Sequence, residues 1–122
     1  MEFNEKNAIW LQITEFVMDQ ILTGSWKTEE KVPSVRELAM ALQVNPNTVM
    51  RAYEHLQQKE IIVNRRGIGT YVTINAREQI REFRRESFLK NDLPELFRRM
   101  IMLEITPEEL EQYYETYVKQ IK

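Results

Sequence analysis

The residues best suited to direct chemistry in this sequence lie in the stretch NPNTVMRAY, residues 45–53. Asn47, Thr48 and Arg51 carry an amide, a hydroxyl and a guanidinium, groups that form hydrogen bonds with phosphates or with the edges of bases. At about 100° per residue of a helix, they and His55 fall away from the apolar residues of the same helix. Those apolar residues are Val49, Ala52, Tyr53 and Leu56. Asn and Thr are also common capping residues, so the stretch predicts either a capped helix start or a polar surface for a nucleic acid.

A second basic group lies in the stretch NRRGIG, residues 64–69, where Arg65 and Arg66 precede Gly67. Considered alone, a pair of arginines in a turn is most often a solvated surface feature. Arginines at the tip of a hairpin also reach phosphates or the minor groove of DNA. The turn is therefore a second candidate for contact with a nucleic acid.

Catalytic and metal-binding patterns are missing from the sequence. It contains no GxSxG, P-loop, HExxH or dinucleotide-binding motif, and its carboxylates are scattered through charged stretches without a paired site. His55 is the single histidine and there is no cysteine, so a zinc site of the usual kind is not expected. We predict that the protein is not an enzyme and uses neither a cofactor nor a metal.

The composition limits the class of protein further. A chain of 122 residues with 43% hydrophobic residues predicts one compact domain, alone or with a short appendage. The net charge of -2 argues against general binding to nucleic acid, so any DNA contact must be local. The sequence has no cysteine, no signal-like amino terminus and no run of about 18 apolar residues, which predicts a cytoplasmic protein without a membrane contact.

Three helices must position the polar stretch. Apolar residues at helical spacing predict the first helix from Ile9 to Ile21. The sequence SVRE, residues 34–37, is a capping box that opens a short second helix. Asn45 as the N-cap and Pro46 at the first helical position then open the third helix.

Two short strands rich in β-branched residues follow at 61–63 and 70–74, on either side of the basic turn. Two helices joined by a tight turn and followed by such a hairpin form a winged helix-turn-helix, which places the amino end of its recognition helix in the major groove of DNA. The predicted fold is mainly α with a small β-hairpin. It comprises a winged helix-turn-helix DNA-binding domain at residues 1–75 and a two-helix C-terminal segment at residues 76–122.

The sequences VPSVRELAMALQVNPNTVMRAYEHL and IIVNRRGIGTYV resemble the DNA-binding domain of the GntR family of bacterial transcription regulators, and NPNTVMRAY resembles its YtrA-type subfamily. The resemblance extends from about Ile9 to Val72. It implies a homodimer that binds an operator in double-stranded DNA, usually as a repressor, and that in the YtrA type often controls transporter genes. Carried over residue by residue, it implies DNA contacts from Arg36, Asn45, Asn47, Thr48, Arg51, Arg65, Arg66 and Gly67.

Two positions depart from the family pattern. Glu60 stands where the family usually has glycine after the third helix, and Glu29-Glu30 replaces the usual glycine before the second helix. A left-handed backbone conformation disfavours a residue that has a Cβ atom. Glu60 therefore predicts a strained or reshaped turn between the third helix and the first strand.

The segment at residues 76–122 has the apolar periodicity of two amphipathic helices, the first interrupted near Pro94 and the second opened by Thr106-Pro107. Alternating arginine and glutamate at 77–86 is typical of a solvated helix face. Two helices cannot enclose a core alone, so they must pack on the winged domain or on a second copy, and a twofold dimer is the economical solution. The predicted dimerisation residues are Phe88, Leu96, Phe97, Met100, Leu110, Tyr113, Tyr114 and Tyr117.

Two functions are compatible with this pattern: a sequence-specific DNA-binding transcription regulator and a winged-helix module for protein interaction. A polar, arginine-bearing face on the third helix favours DNA, whereas an apolar face would favour a protein. A twofold dimer further predicts a palindromic operator. A tail of about 47 residues leaves little room for a ligand pocket of about 300 Å³, so an unidentified small-molecule effector is expected only at the dimer interface. The tyrosines are also compatible with an aromatic ligand cage, but packing is favoured for them.

Overall fold

The computed structural model describes residues 8–122, which form a set of helices and one β-hairpin. The stretch MEFNEKN, which contributes to the expectation that no signal is present, lies outside the described residues. The elements are α1 (Ile9–Leu22), α2 (Val35–Leu42), α3 (Pro46–Gln58), β1 (Ile62–Arg65), β2 (Gly69–Val72), α4 (Ala76–Ser87), a π-helical segment (Phe88–Asp92), α5 (Leu93–Met102) and α6 (Pro107–Ile121). The predicted mainly α fold with a winged helix-turn-helix is confirmed.

The compact unit that ends at Phe83 is built on the apolar faces of α1, α2 and α3. Helix α3 packs against both α1 and α2. Burial of these faces, together with residues of the hairpin and the start of α4, creates one core. Its members include Ile13, Val17, Ile21, Leu38, Val49, Tyr53, Leu56, Ile62, Val72 and Ile80. The apolar stripe predicted for the third helix therefore lies in the core.

The start of α2 is fixed by short-range hydrogen bonds, and α3 is tied to it by a longer-range one. Ser34 Oγ accepts a bond from the Glu37 N–H at 3.1 Å, and the Ser34 N–H donates to Glu37 Oε1 at 2.9 Å, which completes the predicted capping box. These bonds lower the pKa of the Glu37 carboxyl. The Tyr53 hydroxyl of α3 donates to Pro33 O at 2.7 Å, so α3 is tied to the residue before this cap. Burial raises the pKa of Tyr53.

The hairpin is attached to the segment between α1 and α2. Its strands are antiparallel, with Ile62 opposite Val72 and Arg65 opposite Gly69. Along the other edge of β2, the Val32 N–H donates to Thr70 O at 2.8 Å and the Val72 N–H donates to Glu30 O at 3.0 Å. The wing is therefore anchored on both edges of β2, a feature that the sequence does not predict.

The turn between α3 and β1 keeps the geometry that glycine usually supplies. Glu60 has φ 59°, in the left-handed region. The Glu60 N–H donates to Gln57 O at 3.0 Å and the Ile61 N–H donates to Leu56 O at 2.9 Å, the pair of bonds that defines a Schellman motif. Glu29, the other departure from the family pattern, has φ 65°. Both turns are therefore preserved, and each accepts the steric cost of a Cβ atom.

The end of the first unit lies inside α4. Helix α4 begins at Ala76, where the sequence predicts a boundary, whereas the two compact units divide after Phe83. Ala76 and Ile80 are fully buried in the core of the first unit, which accounts for the later division.

Arg77 on α4 has a specific partner. Its Nη1 donates to Ile21 O at 3.2 Å and to Leu22 O at 3.1 Å, at the carboxyl end of α1. Carbonyls in the last turn of a helix lack partners within the helix, and a cation there also interacts favourably with the helix dipole. The purely solvated role predicted for Arg77 is therefore wrong, because the arginine caps α1.

The second compact unit, Arg84–Lys122, contains the end of α4, the π-helical segment, α5 and α6. The π-helical segment lies directly before the first turn of α5, which contains Pro94, so the interruption expected near this proline is present. Thr106 Oγ1 accepts a bond from the Glu109 N–H at 3.1 Å and forms the cap of α6.

Glu60→Gly should increase the free energy of unfolding by about 0.5–1 kcal/mol. Removing Cβ relieves a left-handed conformation that costs about 1–2 kcal/mol, while glycine adds about 0.4–1 kcal/mol of entropy to the unfolded chain. Urea unfolding measures the difference. As a matched control, Glu54→Gly in the exposed interior of α3 should lower stability by about 1 kcal/mol. A Glu60→Gly variant no more stable than the parent would contradict the strain at this turn.

Candidate nucleic-acid interface

The amino end of α3 is capped by Asn45. Asn45 Oδ1 accepts a bond from the Asn47 N–H at 2.8 Å, and Pro46 occupies the first turn, where its missing N–H costs nothing. Asn47 is exposed and Thr48 is half-buried, and neither side chain has a hydrogen bond to another residue within the described part of the chain. Asn45 meets the capping requirement, so capping does not account for the side chains of Asn47 and Thr48.

Arg51 lies one turn further along α3, on the same side as Asn47. Its guanidinium carbon is 4.5 Å from the centroid of the Trp10 ring on α1, a cation–π contact. The Arg51 side chain has no hydrogen bond to another residue within the described part of the chain, so its N–H donors remain available. Arg51 remains exposed. It can therefore donate to a phosphate or a base while it rests on Trp10.

His55 is not on the exposed face of α3, and this part of the sequence prediction is wrong. Its ring lies between Trp10 and Phe83, with centroid distances of 5.3 Å and 5.4 Å in edge-to-face arrangements. His55 Nε2 is buried and has no hydrogen-bond partner within the described residues. Burial lowers the pKa of His55, and the charge of Lys59 lowers it further. His55 is on the flank of the helix rather than opposite its apolar stripe, so neighbouring helices cover it.

The wing presents the two predicted arginines. The Arg65 guanidinium carbon is 4.5 Å from the centroid of the Tyr71 ring on β2, and both Arg65 and Arg66 are exposed. Gly67 is also exposed and has φ 77°, a conformation that lets the chain turn between the strands. The hairpin therefore places two guanidinium groups at its end, as a DNA contact requires.

Three residues that the sequence pattern did not single out lie beside these groups. Lys31 packs across the wing, since a Cβ atom built on Gly69 would come within 2.6 Å of Lys31 Cε. Met50 on α3 and Ile68 in the wing turn are exposed apolar side chains, at 43% and 60% exposure. Met50 could have been found, because it falls off the apolar stripe of its helix. Lys31 could not, because only the fold brings it to the hairpin.

Arg36 lies in the first turn of α2 and is exposed, next to the capping residue Glu37. All eight residues that the family resemblance assigns to DNA are in the first compact unit. They occupy the first turn of α2, the first two turns of α3 and the end of the wing, the parts of a winged helix-turn-helix that approach a duplex.

The second unit exposes most of the side chains predicted for dimerisation. The exposed fractions are 48% for Phe88 and Phe97, 36% for Leu96, 71% for Tyr113, 68% for Tyr114 and 62% for Tyr117. Leu110 is half-buried. Met100 is only 7% exposed in the single chain, so little of its surface remains for a second copy.

An open apolar groove of about 760 Å³ lies within the second unit. It is lined by Leu96, Pro107, Leu110, Glu111, Tyr113, Tyr114, Thr116, Tyr117 and Gln120. Eight of these nine residues lie on α6 and only Leu96 lies on α5, so the groove is open to solvent and is not an enclosed pocket. The expectation that one subunit has little room for a ligand pocket stays a prediction.

No cluster of histidine and carboxylate side chains suitable for a metal ion is found among residues 8–122. In the same part of the chain, no helix is long and apolar enough to cross a membrane.

Comparison with known proteins agrees with this architecture. The model of the gntR family of bacterial regulatory proteins matches residues 11–72. The HTH-type transcriptional repressor YtrA of Bacillus subtilis is 37% identical over 93% of this chain and 83% of its own length. The crystal structure of a GntR-family protein from Bacteroides thetaiotaomicron is 42% identical, with a TM-score of 0.81 over 94% of this chain and all of that one. The DNA-binding domain of AraR in complex with operator ORR3 is 25% identical, with a TM-score of 0.54 over 60% of this chain and 86% of that chain.

These matches and the winged helix-turn-helix define a DNA-binding class of bacterial regulator. The chain belongs to the GntR family. Its similarity to YtrA over most of both chains agrees with the YtrA-type resemblance of the NPNTVMRAY stretch. As a member of this family it is a helix-turn-helix transcription regulator and not an enzyme.

The lowered pKa of His55 makes stability depend on pH. As the pH falls below about 6.5, the unfolded chain binds a proton at His55 before the folded chain does. The free energy of unfolding should therefore decrease as the pH falls from about 7, until the pH is below the folded pKa. Urea unfolding at several pH values measures this decrease. His55→Phe should remove the part of this decrease that is due to His55, the single histidine. Parallel pH profiles of the free energy of unfolding for the variant and the parent would contradict the assignment to His55.

Proposed function

We propose that this chain binds a palindromic operator as a homodimer and represses transcription. The observation that carries the proposal is the amino end of α3. Asn45 completes the cap, while Asn47 and Thr48 carry side chains without a hydrogen bond within the described residues, and Arg51 stays exposed. Short polar groups and an arginine at this end of a recognition helix are suited to reach phosphates and base edges in the major groove.

The wing would contribute phosphate or minor-groove contacts through Arg65 and Arg66, with Gly67 allowing close approach of the backbone. Arg36 would contact the backbone of the duplex from the start of α2. Exposed Met50 and Ile68 add apolar surface that is suited to thymine methyl groups or to the groove wall. Because the chain has a net charge of -2, binding depends on these local groups and not on a general positive field.

The alternative function, a winged-helix module for protein interaction, is less well supported. The exposed residues of α3 include Asn47, Arg51, Glu54, Gln57 and Gln58, so its outer face is polar apart from Met50. A protein-docking helix would be expected to present an apolar stripe there.

A second copy supplies the twofold symmetry of the proposal. Soluble monomers rarely leave large contiguous apolar surfaces exposed, and the second unit exposes several aromatic side chains around its groove. A partner copy that fills the groove between α5 and α6 would cover Leu96, Tyr113 and Tyr117. Two recognition helices related by a twofold axis read an inverted repeat.

The target genes and any effector belong to the same proposal. Repression follows the relative named as a repressor, and control of transporter genes follows the YtrA-type resemblance. Because the partner copy fills the groove, a small-molecule effector would bind at the dimer interface beside it. An effector that binds one arrangement of the dimer better than another would shift the spacing of the recognition helices.

Selection of bound fragments from random DNA tests the proposal. We expect a palindrome with half-sites about one helical turn apart, and much weaker binding to a scrambled duplex of the same composition. Thr48→Ala should then weaken binding to the selected duplex by about 1–3 kcal/mol without a change in the unfolding curve.

Thr23→Ala is the control for Thr48→Ala, because it also replaces a threonine with alanine. Thr23 follows the carboxyl end of α1, about 20 Å along the helix from Trp10, which contacts Arg51 of the proposed interface. It should leave DNA affinity unchanged. Equal affinity for the scrambled and selected duplexes would overturn sequence-specific binding, and an unaffected Thr48→Ala variant would remove the assigned role of α3.

Arg66→Ala should weaken binding and reduce the slope of log K against log salt by about 0.9, because one fewer phosphate is neutralised. Titrations at several salt concentrations measure the slope. Arg81→Ala on the exposed face of α4 removes the same charge away from the wing and should preserve the slope. An unaltered slope for Arg66→Ala would identify Arg66 as a solvated turn residue.

A further inference from the structure

One cluster in the first unit joins α3 to residues that have no assigned part in DNA binding. The His55 ring on α3 makes edge-to-face contacts with Trp10 on α1 and with Phe83 on α4. Two cations make cation–π contacts with these rings. The Arg51 guanidinium carbon is 4.5 Å from the Trp10 centroid, and Lys59 Nζ is 5.3 Å from the Phe83 centroid. Arg51 is the one member of this cluster that the proposed interface uses.

We propose that Trp10 is a positioning residue for DNA binding, and that its ring holds the Arg51 guanidinium in the orientation that contacts the operator. The inference rests on the proposed function, since it assumes that Arg51 touches DNA. Trp10 itself is not assigned a contact with the duplex. Its effect on binding is transmitted through Arg51 alone.

The spacing on α3 explains how the ring is held. Arg51 and His55 are four residues apart, so their side chains are neighbours on one side of the helix. Trp10 contacts both, its face toward the guanidinium and an edge-to-face contact with the imidazole, at 4.5 Å and 5.3 Å. The two contacts fix the ring relative to α3. A fixed ring in turn limits the rotamers of the long arginine side chain above it.

The cation–π contact is suited to DNA binding because it leaves the hydrogen-bond donors of Arg51 available. The Arg51 guanidinium lies over the Trp10 ring and has no hydrogen bond to another described residue, so its N–H donors remain available. Arg51 is exposed while Trp10 is half-buried, so the cation lies on the solvent side of the ring. An arginine that is already ordered loses less conformational freedom when it meets DNA than an arginine that moves freely.

A purely structural role for Trp10 is the competing explanation. Helix α1 begins at Ile9 without a side-chain cap at Ala8, so packing of Trp10 could simply hold the first turn in place. The rest of α1 has its own anchors, since Ile13, Val17 and Ile21 are buried in the core. Loss of Trp10 should therefore leave the domain folded. The two explanations differ in whether the effect of Trp10 on DNA binding depends on Arg51.

A double-mutant cycle on the full-length chain, with the selected operator duplex as probe, separates them. Trp10→Leu should weaken operator binding about 3- to 10-fold, in line with the strength of a partly exposed cation–π contact. Trp10→Phe should retain most of the affinity, because it keeps an aromatic face. Arg51→Ala should weaken binding, and Trp10→Leu should have no further effect in the Arg51→Ala background. Urea unfolding of each variant confirms that the compared proteins are folded.

Other outcomes overturn the inference in distinguishable ways. If Trp10→Leu reduced operator affinity equally in the parent and in the Arg51→Ala background, Trp10 would act through the fold and not through Arg51. Tighter binding by Trp10→Leu would show that the ring holds Arg51 away from DNA. If Arg51→Ala left affinity unchanged while Thr48→Ala reduced it, the positioning role would fail and operator binding would stand. Equal binding of the parent to selected and scrambled duplexes would instead remove the proposed function itself.

Discussion

The first turn of α3 has to satisfy its own backbone without using the side chains that it presents to solvent. Asn45 Oδ1 accepts the Asn47 N–H at 2.8 Å, and Pro46 brings no N–H that needs a partner. Had Asn47 or Thr48 been the cap, its hydrogen-bonding group would have been committed to the helix itself. Because the cap lies two residues before Asn47, the polar side chains of the first turn remain available for contacts at the surface. The proposed recognition of DNA depends on this division of roles.

The remainder of the first unit holds that turn in a fixed place. The Tyr53 hydroxyl binds Pro33 O at 2.7 Å, just before the cap of α2, while the buried faces of α1 and α2 enclose the stripe of α3. The wing is tied to the preceding segment by backbone bonds such as the Val32 N–H to Thr70 O. These contacts link the helices and the hairpin in one unit, so the polar groups are positioned before any duplex arrives. Such preorganisation reduces the entropy that binding must overcome.

Features that depend on near neighbours in the sequence could be predicted. The caps of α2, α3 and α6 and the stripe of α3 all follow from residues within one or two helical turns of each other. Features that depend on distant neighbours could not. The cover over His55 comes from Trp10 and Phe83, and the groove brings Leu96 of α5 beside residues of α6. The DNA contacts assigned to the site rest on family resemblance, whereas the cation–π contact of Arg51 with Trp10 is visible only in three dimensions.

The second unit exposes large aromatic side chains to solvent. Helix α6 begins with a complete capping box, yet its Tyr113, Tyr114 and Tyr117 are each more than 60% exposed. Tyrosine tolerates exposure better than phenylalanine because its hydroxyl can stay in water, so this surface can exist in a free chain and still bury its rings on assembly. Phe88 and Phe97 have no such group, and their exposed rings gain most from a partner. A surface of this composition agrees with the proposed association of two copies, which would place two recognition helices against the two halves of a symmetric site.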